Sequence, residues 1–315
     1  MNFNKSVTRR ESIQKLFKAA GCLTLAGAAS WSSELIPGGW ASTLPTGFIV
    51  EAIGETEGYD IKQLTRKTFE AAGGISRFVS KGDVVAIKPN ISWARSPEMA
   101  ASTNPSVLEA VVELCQEAGA KKVRIADNTM HDPRRCFALT GALMVAKNTG
   151  ADLIYPRSSL MRRMKLQGKR LDVWPVFVPF VEADKLINLP VAKHHSATVL
   201  TLGMKNWLGA VGGNRGMLHQ DLHQSIVDLA NYFKPSVTLI DAIRIMVRNG
   251  PSGGSTADVA KKNTLILSND PVAADAKAAL LFDRQPDRIG FIRLGQKSGL
   301  GTYDVEQLSL KKVNL

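Results

Sequence analysis

Cysteine is almost absent from this chain of 315 residues: three occur in all, Cys22, Cys115 and Cys136. No two stand in a CxxC spacing, which excludes a four-cysteine iron–sulfur cluster and a structural zinc site. So few cysteines also argue against a disulfide framework. Cys115 falls in an amphipathic helix pattern and reads as a small buried hydrophobe. Histidine is scarce too, with five in the chain. Aromatic residues make up 6%, too few near the basic stretches to stack on nucleic-acid bases. Beyond the N-terminus no apolar run is long enough to span a bilayer.

What the first forty residues do contain is an export pattern. Thr8-Arg9-Arg10 and Ile13 precede a modestly apolar, Ala- and Gly-rich run, resembling a twin-arginine (Tat) signal over residues 1–41. Ser12 stands where an aromatic residue is commoner. The run is too short to remain as a membrane span, and cleavage is expected after Ala28 or after Ala41. Cys22 follows Lys18-Ala19-Ala20-Gly21, but the apolar run continues past it, which argues against lipidation. The expected partner is the Tat machinery and the expected location periplasmic.

The formal net charge is +12. Residues 1–41 carry five basic residues against Glu11 and Glu34, a net +3, so the remainder carries +9. Such a balance suits phosphates, carboxylates or anionic surfaces, and it also serves plain solubility. Hydrophobic content of 44% and charged content of 22% are those of a globular protein.

From residue 46 to 315 the chain reads as a single α/β domain. β-Branched runs at 84–90, 121–128, 152–156, 185–190, 236–243 and 263–270 alternate with helical patterns. One helix has Pro105 at its first position and Gly119 past its end; another has Asp270 as N-cap and Pro271 at N1. The stretch after Pro190 reads as a long helical region. The alternation predicts a largely parallel sheet with helices on both faces. Residues 161–180 break it and predict an antiparallel hairpin excursion turning near Gln167-Gly168. Its Arg162, Arg163, Lys165, Lys169 and Arg170 form either an anion-facing ribbon or a solvated face.

In open α/β sheets ligands bind beyond the carboxyl ends of the strands. Those ends offer Lys88 and Asn90, then Asp127, Asn128 and His131, then Lys193, His194 and His195, then Asp241. Lys88, Asn90, Asp127, Lys205, Asn206, Arg215 and Gly253 are the candidate ligand-binding residues. His195, Lys193 and Asp241 are the candidate catalytic ones. Asp127 or Asp241 would orient an imidazole. Glycine loops at 209–216 and 249–256 could present amides to an anion, though neither has P-loop or dinucleotide-fingerprint spacing.

His219 and His223, four apart, would share a helix flank, and with His195 they are the candidate divalent-metal ligands. Against that pairing, Asp221 and Gln224 have the form of a capping box. A helix starting at Asp221 leaves His219 in the preceding loop.

The blocks "VVAIKPN", "TNPSVLEAVVELCQEAGAKKVRIADN", "ADKLINLPVAKHHSATVLTLGMKNWLGAV", "HQDLHQSIVDLA", "LIDAIRIMVRNGPSGG" and "SNDPVAADAKA" occur in this order. Together they resemble the uncharacterised family catalogued as domain of unknown function 362, from Val84 to Asp275. The resemblance rests on Lys88-Pro89-Asn90, Asn188-Leu189-Pro190, Lys193, His195, Lys205-Asn206, Gly250-Pro251 and Asp270-Pro271. It implies the α/β fold and the site region without naming a reaction. Some relatives append ferredoxin-like clusters; this chain lacks those cysteines, so no iron–sulfur cluster is expected. The resulting expectation is a basic, histidine-containing crevice for an anionic small molecule or metal-bound cofactor, with or without turnover. An accessory or binding protein is the alternative, and nucleic-acid binding is disfavoured.

Overall fold

The computed structural model describes residues 47–315. The twin-arginine segment, both cleavage sites and Cys22 lie outside the described residues. Twelve strands appear in chain order: Phe48–Ile53 (β1), Val84–Pro89 (β2), Lys122–Ala126 (β3), Asp152–Ile154 (β4), Met161–Lys165 (β5), Val173–Phe177 (β6), Lys185–Leu189 (β7), Val191–His195 (β8), Val199–Thr201 (β9), Val237–Met246 (β10), Val259–Ser268 (β11) and Ser309–Asn314 (β12). The helices are Ile61–Ala71 (α1), Pro105–Glu117 (α2), Pro133–Leu139 (α3), Ala142–Thr149 (α4), Val178–Val181 (α5), Gly203–Asn206 (α6), Leu222–Phe233 (α7), Pro271–Leu280 (α8) and Gly290–Lys297 (α9).

The main sheet runs β12-β1-β11-β10-β7-β2-β3-β4. Its β10-β7-β2-β3-β4 section is wholly parallel, whereas β11 lies antiparallel to both β1 and β10. The parallel strands are buried on both sides, which is why they read as continuous β-branched runs. Period-two alternation divides them. Val85, Ile87, Ile187, Leu189, Val237 and Leu239 join the core built with α1, α2 and α4. Their neighbours Lys88, Asn188 and Thr238 face the other way, where Asn188 meets Gly203 of α6. Helices therefore cover both faces.

β5 and β6 form the antiparallel hairpin of the 161–180 excursion, pairing Met161 with Phe177 through Lys165 with Val173. The turn that joins them is tied down by Asp228 of α7. Its carboxylate accepts from the backbone N–H groups of Lys169, Arg170 and Leu171.

The region after Pro190 departs from the helical expectation. Pro190 has no N–H to offer a sheet, and the strand path breaks there. β7 pairs with both β2 and β10, while β8 stays beside β10 and turns back through β9. Helix returns only with the single turn of α6 and, after 3₁₀ turns, with α7.

From β2 the chain proceeds outward to β3 and β4 in one direction, and later to β7 and β10 in the other. The order thus reverses between β2 and β7, the position where an open α/β sheet leaves a crevice beyond its strand ends. Among the described residues no helix is long and apolar enough to cross a membrane.

Candidate functional site

The floor of that crevice is a buried polar network. Lys88 and Asn188 are register partners at the ends of β2 and β7. Asn206, on α6, donates to the Lys88 carbonyl and to Asn188 Oδ1, both at 2.9 Å. Its Oδ1 accepts from Lys88 Nζ at 3.3 Å and from Asn90 Nδ2 at 3.2 Å. Lys88 Nζ also lies 2.9 Å from Asp127 Oδ1, with the two side chains 1% and 0% exposed. Asp127 Oδ2 accepts from the Ile91 N–H at 2.6 Å. Burial drives the Lys88 ammonium below its ordinary value, against the opposing pull of Asp127.

α6 is itself positioned by a carboxylate. Asp275 of α8 accepts from the N–H groups of Gly203 and Met204 at 2.6 and 2.9 Å. Desolvation pushes its acid up to about 8. Beyond α6 the chain runs so close to the floor that a β-carbon on Gly209 would collide with Asp127 and crowd Lys88 Nζ. The Asn128 N–H then donates to the Gly209 carbonyl at 2.7 Å, and Arg215 reaches back to the carbonyls of Asn128 and Thr129 at 2.7 and 2.8 Å. The 207–216 segment is thereby stapled over the end of β3.

Above this floor lies a crevice of about 300 Å³. Lys193, Lys205, Arg215, His195 and His219 line it with Asn90, Asn206 and Thr201. Trp93, Met130 and Leu208 supply apolar surface. The Trp93 ring meets His131 edge-on at 4.8 Å between centroids. Among the described residues no aspartate or glutamate belongs to the lining.

The cations differ in their commitments. Lys193, 1% exposed, donates to Asn90 Oδ1 at 3.2 Å and to the Ala101 carbonyl. Burial lowers it to about 7, with Lys205 and Lys88 adding repulsion and Asp127 opposing. Lys205, 6% exposed, also falls to about 7, and burial is the cause. Its ammonium has no hydrogen-bond or carboxylate partner among the described residues. The Thr201 hydroxyl of the same lining is likewise buried without a partner. Burial, then Lys205 and Lys193, hold His195 down at about 3, so its imidazole is neutral throughout the physiological range.

Of the residues singled out in the sequence, Asn90, Lys193, His195, Lys205, Asn206, Arg215 and His219 meet in this crevice, and Lys88 and Asp127 lie beneath it. Asp241 does not line it: its carboxylate accepts from the N–H groups of Asn104 and Ile243 at 2.7 and 3.0 Å. Gly253 stands in the loop after β10, where an added β-carbon would meet Met246 and Met99. His223 is not in the lining: its ring lies against Gly290, stacked 6.3 Å from Phe291, within range of the Lys205 charge. Asp221 caps α7 through the Gln224 N–H, and His219 sits in the preceding 3₁₀ turn. His195, His219 and His223 are therefore not brought together. No group of three or more His, Cys, Asp or Glu is arranged to hold a metal ion among the described residues. Trp93, Met130, Thr201, Leu208 and Pro251 complete the lining without having been candidates in the sequence. They carry no local signal, since only the convergence of distant loops sets them side by side.

The chain is 26% identical to a thylakoid-associated protein of Synechocystis sp. over 256 residues, 76% of each sequence. In fold it is similar to the lactate racemase apoprotein from Thermoanaerobacterium thermosaccharolyticum. That similarity has a TM-score of 0.44 and 14% identity, covering 75% of this chain and 56% of that one. With residues 85–280 matching the family's model, more than half its length and all of the crevice floor, the chain belongs to the family described as Domain of unknown function (DUF362).

Proposed function

We propose that this protein binds a small anionic organic molecule in the crevice between the ends of β2 and β8. The observation that carries the reading is the lining itself: among the described residues it holds three cationic side chains and two histidines without a carboxylate, and Asp127 beneath it is already paired with Lys88. Buried cations of this kind are costly unless a partner of opposite charge arrives. Arg215 is fixed by two backbone carbonyls and Lys193 by two acceptors, so the positive field is preorganised before any ligand enters. Trp93, Met130 and Leu208 give the carbon skeleton a surface to pack on, as small-molecule sites do.

The test is thermal unfolding of the full chain against acetate, lactate, phosphate and a neutral amide of the same size. Anions should raise the unfolding temperature in the parent and lose that effect in K193M with R215M. Stabilisation that survives in the double variant places binding elsewhere and sinks the reading. Product formation, followed by NMR on the stabilising compounds, separates an enzyme from a binding protein.

Export belongs to the same reading. The Arg9-Arg10 pattern supports passage of the folded chain through the Tat route. R9K with R10K should leave the protein in the cytoplasmic fraction; unchanged fractionation would count against it.

A further inference from the structure

Three side chains give the crevice its positive charge, and two are already committed. Arg215 donates to the carbonyls of Asn128 and Thr129, and Lys193 donates to Asn90 and Ala101. Below them Lys88 is paired with Asp127. Lys205 has no such commitment among the described residues, although it is 6% exposed and sits on a one-turn helix pinned at both ends. A structural lysine would be expected to find an acceptor at this depth. The Thr201 hydroxyl of the same lining is buried and also has no partner among the described residues.

We infer that Lys205 is an amine nucleophile that forms an imine with the carbonyl carbon of a small anionic aldehyde or ketone, an inference that rests on the anion-binding reading above. In the step, the Nζ lone pair forms the new N–C bond. The carbonyl C–O bond breaks, and both amine protons leave on that oxygen as water. No oxidant or reductant is consumed. Lys193 and Arg215 hold the anionic group, which leaves the carbonyl carbon to Lys205.

A lysine attacks carbon only as the free amine. The titratable and charged groups around Lys205 are Lys193, His195, Arg215 and His219 in the crevice, His223 on α7, and the Lys88–Asp127 pair below. None supplies a carboxylate to the ammonium, and burial brings it to about 7. At pH 7 its neutral fraction exceeds that of an ordinary lysine by about 10³-fold.

The experiment uses the full chain at pH 7 with glyoxylate, the smallest anionic aldehyde, and cyanoborohydride to trap any imine. Peptide mapping should find Lys205 modified at least about tenfold faster than an exposed lysine such as Lys169, with the rate set by the free-amine fraction. Acetate should slow that labelling. K205R keeps charge and bulk but cannot act as the amine; it should lose the adduct while unfolding at the parent temperature. Labelling of Lys205 no faster than Lys169, or an unchanged adduct pattern in K205R, overturns the inference. If Lys205 stays unlabelled while acetate still stabilises the fold, the imine fails and anion binding stands. If acetate also has no effect, both fall.

Discussion

Asn206 and Lys88 exchange hydrogen bonds in both directions: the Asn206 amide donates to the Lys88 carbonyl at 2.9 Å, and its Oδ1 accepts from Lys88 Nζ at 3.3 Å. Since the same amide also donates to Asn188, one side chain joins the ends of β2 and β7 where the strand order reverses. N206A would leave the Lys88 carbonyl, the Asn188 oxygen and the Asn90 amide short of partners in a dry site. The expected loss is about 2–4 kcal/mol, from the cost of unsatisfied buried groups. Urea unfolding measures it, and a loss under about 1 kcal/mol would mean that water repairs the network.

Gly209 is constrained by contact and not by torsion. A β-carbon there would strike Asp127 and press on Lys88, neither of which has room to yield. G209A should cost about 3 kcal/mol, toward the upper end for overpacking. G216A serves as the comparison, because its nearest neighbour is the end of the Asn214 side chain at 3.1 Å. Equal unfolding midpoints for the two variants would contradict the close approach.

How much of this was legible in the sequence follows from whether the signal was local. β2, β3, β7, β10 and the antiparallel β11 were visible because strands buried on both faces are continuous apolar runs closed by Pro, Asn or Asp. α2 and α8 were visible because Pro105 and Pro271 stand behind Asn104 and Asp270 as caps. β8 and β9 were not, since "VAKHHSATVLT" alternates poorly and owes its strands to β10 beside it. The strand-end rule brought most candidates to one place, yet it could not tell Asp241, which holds two backbone N–H groups, from a carboxylate facing a ligand. The surroundings of His223 are hidden from the sequence for a similar reason. Its helical phase is right for burial, but the surface it is buried against comes from Gly290 and Phe291, far along the chain.

The hairpin offers a third test. Asp228 receives three consecutive backbone N–H groups from the β5–β6 turn and an amide proton from Gln224. D228A should release the turn, with little effect on the main sheet. Limited trypsin digestion should then cut at Lys165, Lys169 or Arg170 well before the parent is cut, because loosened loop backbone is what proteases take. Unchanged digestion kinetics would show that the strand pairing alone fixes the turn.

Anion affinity should depend on pH through the two lysines. Lys193 and Lys205 both ionise at about 7, so raising the pH from 6 to 8.5 removes two charges from the crevice and leaves Arg215. Losing charge-assisted hydrogen bonds of this kind should weaken acetate binding by roughly tenfold or more. Calorimetric titration at the two pH values is the direct measurement. A flat affinity would mean that Arg215 alone supplies the binding charge.

Stability should move in the opposite direction to binding. An unfolded Lys205 takes up its proton near the ordinary 10.5, whereas the folded one does so at about 7. Between those values the unfolded chain binds more protons, so Lys205 makes the fold less stable as pH falls through this window. Below about 7 the whole penalty is present. At 1.36 kcal/mol for each unit of pKa, it amounts to at most about 5 kcal/mol. K205M has no proton to take up. It should therefore be more stable than the parent at pH 6, and the gap should close as the pH approaches 10. Lys205 also adds to the depression of Lys193 and His195, so K205M relieves part of theirs as well, and the gap at pH 6 contains that relief with the Lys205 penalty itself. A variant less stable than the parent at pH 6 would mean that the amine contributes to the fold itself. A more stable one would mark Lys205 as a group kept at a cost to stability, as residues serving a binding site often are.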